Sequence, residues 1–208
     1  MTYAERVTAL AACWDRWADL GAGLTEADWG RPTRCDGWDV NALYAHHAGY
    51  PLGLRNRPGQ DPRGDLVTAA DLLRGFNAPD SPQVEATAAA VADGARQQAT
   101  ALGRDRLVAA FTEDAREALG WMRETPGETV FPWLGGPASI TLTEALRIAL
   151  MEATIHLYDL QHALGLDPDA PAVAAAETAR LLAELPDPAA FIEAASGRSE
   201  TPVLPVLR

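Results

Sequence analysis

Glu152, His156 and Asp159 stand at positions i, i+4 and i+7 of one uninterrupted stretch, Glu152-Ala-Thr-Ile-His156-Leu-Tyr-Asp159. On a helix that spacing puts two carboxylates and an imidazole on one face. Ala145, Ile148, Ala149, Ile155 and Ala163 share the same angular sector, so three ionisable groups interrupt an apolar, core-facing stripe. A carboxylate buried without a partner is strongly unfavourable, so a divalent cation or an arginine must stand nearby. Glu-x3-His offers one oxygen and one nitrogen, one helical turn apart. A third ligand from a facing helix would complete a centre with open positions, as in catalytic zinc sites built from two histidines and a glutamate. Such a donor set suits zinc, nickel or iron.

The chain has 4 histidines: His46, His47, His156 and His162. The third ligand is therefore sought at His46 or His47. His47 lies in phase with Val40, Leu43 and Tyr44, and His46 with Ala42, Leu43, Gly49 and Tyr50, so periodicity does not choose between them. The small residues Ala42, Ala45 and Gly49 leave room beside His46. Asp159 is a candidate catalytic residue, as a proton acceptor or by orienting a histidine ligand. It could equally pair with an arginine such as Arg55 or Arg147.

These residues are carried by helices. Residues 3–20 hold Val7, Leu10, Ala11, Trp14, Trp17 and Ala18 at three- and four-residue spacing, and Gly21-Ala22-Gly23 is expected to stop that helix. Thr25 can cap one short turn. Asp39 caps a second helix reaching about residue 55, with Pro51 a kink or an end. A short helix is expected near 66–75, then helical stretches over 82–102 and 104–124, continuous through Gly103 or broken there. After the Pro/Gly-rich segment 126–139, Thr141 or Thr143 caps the long helix that carries Glu152 and His156, and Gly165 ends it. A further helix near 171–184 precedes an irregular tail. No alternating run exceeds a few residues, so strands are not expected. Long helices with connections of varying length predict an all-α, antiparallel four-helix bundle with extra short helices.

Composition narrows the function further. The 208 residues carry a formal charge of -12, which disfavours a phosphate-backbone partner. All 17 basic residues are arginine, which excludes a Schiff-base lysine, a P-loop lysine and a Ser-Lys pair. The 2 cysteines, Cys13 and Cys35, have no metal-ribbon or disulfide spacing, and both read as small buried residues. The charged N-terminus and the lack of an 18-residue apolar run predict a soluble, cytoplasmic protein with no membrane partner. A monomer or a homodimer is expected.

Arg31-Pro-Thr-Arg-Cys35-Asp-Gly-Trp38-Asp-Val, with His46 following, and then Glu152-x3-His156-x2-Asp159-Leu resemble the DinB-like metalloproteins. Within them the likeness is to the actinobacterial mycothiol-dependent maleylpyruvate isomerase N-terminal domain family, over roughly residues 5–165. The resemblance implies a DinB-like four-helix bundle over residues 1–165, with 166–208 a C-terminal helical appendage and tail of the same domain. It implies a metal, usually zinc, held by His46, Glu152 and His156; His47 and His162 then read as solvated or structural. It also implies mycothiol as thiol cosubstrate, together with a small-molecule electrophile. Trp38, which packs the start of the second helix, is a candidate cofactor-binding residue with Tyr50, Arg55 and Trp133; Trp133 could equally serve packing alone. The two-domain isomerases carry a second domain that helps to form the substrate site.

A metal-activated thiolate could displace a leaving group, open an epoxide, or add reversibly to an activated alkene, which permits cis–trans isomerisation. The expected activity is thus that of a thiol-dependent transferase or isomerase. A metal-dependent hydrolase and a non-catalytic metal-binding or regulatory protein are the alternatives.

Overall fold

Thr2 opens the first helix: its side chain accepts from Glu5 N while the Glu5 carboxylate accepts from Thr2 N at 2.7 Å, a capping box. The computed structural model describes residues 1–54, 61–76, 82–133 and 138–206. Its helices are α1 (Tyr3–Gly23), α2 (Glu26–Trp29), α3 (Val40–Leu54), α4 (Ala69–Phe76), α5 (Pro82–Leu102), α6 (Arg104–Ala109), α7 (Ala115–Glu124), α8 (Leu142–Leu164), α9 (Ala172–Ala183) and α10 (Pro188–Ala195). A π-helical turn, Ala110–Asp114, joins α6 to α7. The result is the expected all-α DinB-like bundle: α1, α3, the α6–α7 run and α8 pack together, α5 lies along α3, and α9 lies along α8 and α1.

The core is the apolar side of these helices. Leu10, Trp14 and Trp17 of α1, Leu43 and Tyr44 of α3, Leu107 of α6, Met122 of α7, and Leu146, Leu150 and Met151 of α8 are fully buried. Two hydrogen bonds fix α1 between its neighbours. Trp17 Nε1 donates to Ala153 O of α8 at 3.1 Å, and the Tyr44 hydroxyl donates to Trp17 O at 2.8 Å. Tyr44 also meets Trp17, Trp29 and Phe111 edge-on, with centroids 5.1–5.3 Å apart.

Some boundaries match expectation and others differ. α1 does stop within Gly21-Ala22-Gly23, at its last residue, and Gly21 has a further role. It lies inside the helix, and a Cβ there would overlap the Tyr44 hydroxyl and stand 2.7 Å from its Cζ. The residue is glycine because Tyr44 passes against the helix backbone. Pro51 neither ends nor breaks α3, which runs three residues further. Gly103 does interrupt the long helical stretch, with φ +74.

Two short strands were not expected. β1 (Val130–Pro132) and β2 (Ser139–Thr141) pair antiparallel, Phe131 opposite Ile140. Three residues are too few to show an alternation. Thr141 ends β2 and caps α8, accepting from Glu144 N at 3.2 Å. At the other end, Gly165 at φ +74 and Leu166 send their N–H groups to His162 O and Gln161 O, closing α8 in a Schellman motif.

The tail is not wholly irregular. α10 starts from Asp187, which accepts from Ala190 N at 2.9 Å, with Pro188 in the first turn. α9 is bound by charge: buried Glu177 takes Arg6 Nε of α1 at 2.7 Å and Arg180 at 3.3 Å, with Arg147 Nε of α8 at 3.9 Å.

Two expected outcomes follow from this packing. Gly21→Ala should lower stability by about 1–3 kcal/mol in urea unfolding, since Tyr44 cannot yield without losing its bond to Trp17. Gly23→Ala, where nothing lies within 4 Å, should be neutral or stabilising. At Glu177, burial raises the carboxyl pKa, but the hydrogen bond and charge of Arg6 outweigh it and hold it below the ordinary 4.5. Its contribution is therefore present above pH 4.5 and lost as the pH falls through the lowered folded value. Glu177→Gln should cost about 1.5–3 kcal/mol at neutral pH and flatten the acid limb of a Tm-against-pH profile.

Candidate metal centre

Asp39 Oδ1 accepts from Ala42 N at 2.8 Å and starts α3, which brings His46 to the seam with α8. Across that seam stand Glu152 and His156, one turn apart. His46 Nε2 lies 3.3 Å from Glu152 Oε2, and His156 Nε2 lies 3.3 Å from the same oxygen. One ligand atom from each residue falls within 4.8 Å of the others. Direct N–H···O bonds run mostly at 2.7–3.2 Å. Donors held at about 2.0–2.1 Å by one tetrahedral cation are separated by about 3.3 Å. The three side chains therefore fit a divalent cation at this point. Their exposures, 16–20%, leave them open on one side.

The charges at the seam are coupled to one another. Burial raises the Glu152 carboxyl pKa, but hydrogen bonds from His156 and His46 outweigh it, so the group stays ionised. Burial disfavours the charged His156 ring, and Asp159, Cys35 and Glu152 together reverse this, raising its pKa. His47 is held well below the ordinary histidine range by burial, then by the charges of His156 and His46.

Asp159 lies behind His156. Its Oδ2 is 2.9 Å from His156 Nδ1, and since an ionised carboxylate only accepts, Nδ1 carries the proton and Nε2 faces Glu152. Cys35 Sγ donates to the same oxygen at 3.5 Å. The arginine partner is Arg34, whose Nε and Nη2 donate to Oδ1 at 3.1 and 2.7 Å. The expected pairing with Arg147 is not found: that guanidinium lies among Glu144, Glu177 and Glu184. Arg55 lies outside the described residues. Cys35 is not the small buried residue expected, for it is partly exposed in the loop before α3, where it reaches Asp159. No periodicity announces Arg34 or Cys35, since both sit in irregular backbone; only their place in the motif before Trp38 marks them.

The remaining candidates fall on both sides of the triad. The Trp38 ring stands 5.0 Å from His46, edge-on, and 6.2 Å from His156, stacked. Tyr50 lies 6.4 Å from His46; burial, then the Glu152 carboxylate, push its hydroxyl pKa well up. Trp133, the residue after β1, is packed against the core, and no described contact joins it to the triad. His47 is structural: fully buried, it packs against Trp17, Phe111 and Tyr50 at 4.5–5.5 Å, and neither ring nitrogen has a hydrogen-bond partner. His162 is exposed and Cys13 is buried against Thr154. No described helix is long and apolar enough to cross a membrane.

Comparison with known proteins agrees with this arrangement at the level of family and fold. No curated protein sequence matches the chain. Among solved structures, the crystal structure of the mycothiol-dependent maleylpyruvate isomerase aligns with 88% of this chain and 68% of its own, at TM-score 0.54 and 20% identity. A histidine-to-alanine mutant of that isomerase aligns over the same shares at TM-score 0.55 and 20% identity. At this identity the likeness shows a shared fold. The profile of the mycothiol maleylpyruvate isomerase N-terminal domain matches residues 10–161, most of the chain, and the protein belongs to that family.

Proposed function

We propose that the chain is a metal-dependent enzyme that uses mycothiol as thiol cosubstrate, acting as an isomerase or S-transferase on a small electrophile. The observation that carries this reading is the approach of His46 Nε2 and His156 Nε2 to one oxygen of Glu152, both at 3.3 Å, at a partly exposed position. The family name supplies the thiol and the isomerase chemistry. A divalent cation held by these three residues, zinc first and nickel or iron also fitting the donors, supplies Lewis acidity that makes a thiol ionise near neutral pH.

The chain's own residues hold that centre and shape what enters it. Glu152 stays ionised and brings negative charge to the seam. Asp159 keeps the proton of His156 on Nδ1, so that Nε2 is free to ligate. The Trp38 ring lies beside both histidines, and the Tyr50 ring stands edge-on to His46. The exposed side of the three residues is where a thiol and a small electrophile would enter. Asp159 acts here as a positioning residue. Hydrolysis would need it as a free general base, and both of its oxygens are already engaged by Arg34, Cys35 and His156.

The purified protein should contain about one divalent metal per chain, and His156→Ala should lose it while retaining its helical circular dichroism. Metal retained by that variant would remove the ligand assignment. The cobalt-substituted protein should develop a thiolate-to-cobalt charge-transfer band when mycothiol is added. A loaded protein that shows no such band would point to chemistry on water instead.

A further inference from the structure

The His156 imidazole stands between two triads. Its Nε2 side faces Glu152 and His46, two nitrogens and an oxygen. Its Nδ1 side faces Asp159 Oδ2 at 2.9 Å and, next to that oxygen, Cys35 Sγ at 3.5 Å. The ligand atoms of Cys35, His156 and Asp159 also fall within 4.8 Å of one another, so a sulfur-containing set of comparable size lies back to back with the first. A neutral imidazole has one free lone pair, so it serves one side at a time.

Arg34 breaks this symmetry. Its Nε and Nη2 both lie on Asp159 Oδ1, at 3.1 and 2.7 Å, so a fixed cation already neutralises the second triad. The arginine side chain is half exposed, while the Asp159 side chain is 8% exposed. We infer that Arg34 is a selector: by holding Asp159 as a neutralised acceptor of His156 Nδ1–H, it turns Nε2 to the metal and keeps Cys35 out of the coordination. The consequence for the proposed activity, on which this inference rests, is that the protein's own sulfur does not compete with a small-molecule thiol. Without Arg34, Asp159 regains a full uncompensated charge, and a thiophilic cation can settle on Cys35 Sγ, Asp159 and His156 Nδ1, the thiol proton leaving to solvent.

The test is a cadmium titration of the metal-free, full-length protein without added thiol, followed by the ultraviolet thiolate-to-cadmium charge-transfer band. Wild type should bind cadmium with no sulfur band. Arg34→Ala should show the band and bind at the His46 triad roughly 10- to 100-fold more weakly, the usual range for loss of a ligand's supporting partner. The Arg34→Ala/Cys35→Ser double variant should lose the band, and Arg34→Lys should restore most of the wild-type behaviour. Circular dichroism checks folding, and Arg34→Gln replaces the alanine variant should that one fail to fold. A band in wild type that disappears in Cys35→Ser overturns the inference. So does an Arg34→Ala protein indistinguishable from wild type. Either of these, with wild type still binding metal, leaves the proposed function standing; a wild type that binds no cation removes both.

Discussion

Trp17 holds both halves of the candidate centre at once. Its indole N–H is bonded to Ala153 O, one residue beyond Glu152, and its carbonyl takes the hydroxyl of Tyr44, two residues before His46. The helix that carries no ligand thus sets the distance between the two that do. Because the ring is fully buried and packed on Phe111 and His47, these bonds are sheltered from water and resist exchange. Gly21 completes the arrangement from the far side, since any side chain there would push Tyr44 away.

Around that strut the polar groups are satisfied in layers. Glu152 faces His46 and His156, His156 is bonded to Asp159, and Asp159 to Arg34 and Cys35. Asp159, at 8% exposure, is the most buried member of this series, and the half-exposed Arg34 guanidinium balances its charge. His47 shows the opposite solution. Placed next to His46 in sequence but turned into the aromatic core, it stays neutral among rings and is kept from ligating by helix geometry alone.

The sequence was most legible where periodicity carries the signal. The Glu152, His156 and Asp159 face, the Asp39 and Thr141 caps and the Gly165 stop are local patterns, and the helices form where those patterns place them. The stop at Gly21-Ala22-Gly23 was legible, whereas the need for glycine at position 21 was not, because it comes from the tertiary approach of Tyr44. The strands were too short to alternate. The Asp187-Pro188 pair did carry a start signal, weak beside the tail around it. Arg34 as the partner of Asp159 was not legible at all, since a loop residue's contacts depend on where two distant segments meet. The choice of His46 over His47 likewise needed the family motif rather than spacing.

The hairpin before α8 has a consequence for the angular phase of that helix. Thr141 is both the last residue of β2 and the cap of α8, so there is no slack between sheet register and helix start. Sliding β2 by one residue against β1 would begin the helix one residue later and turn it about 100° around its axis. Glu152 and His156 would then point along the bundle surface, while a length change taken up wholly before Ser139 would leave their heading untouched. Three paired residues therefore act as the dial that aims a 23-residue helix.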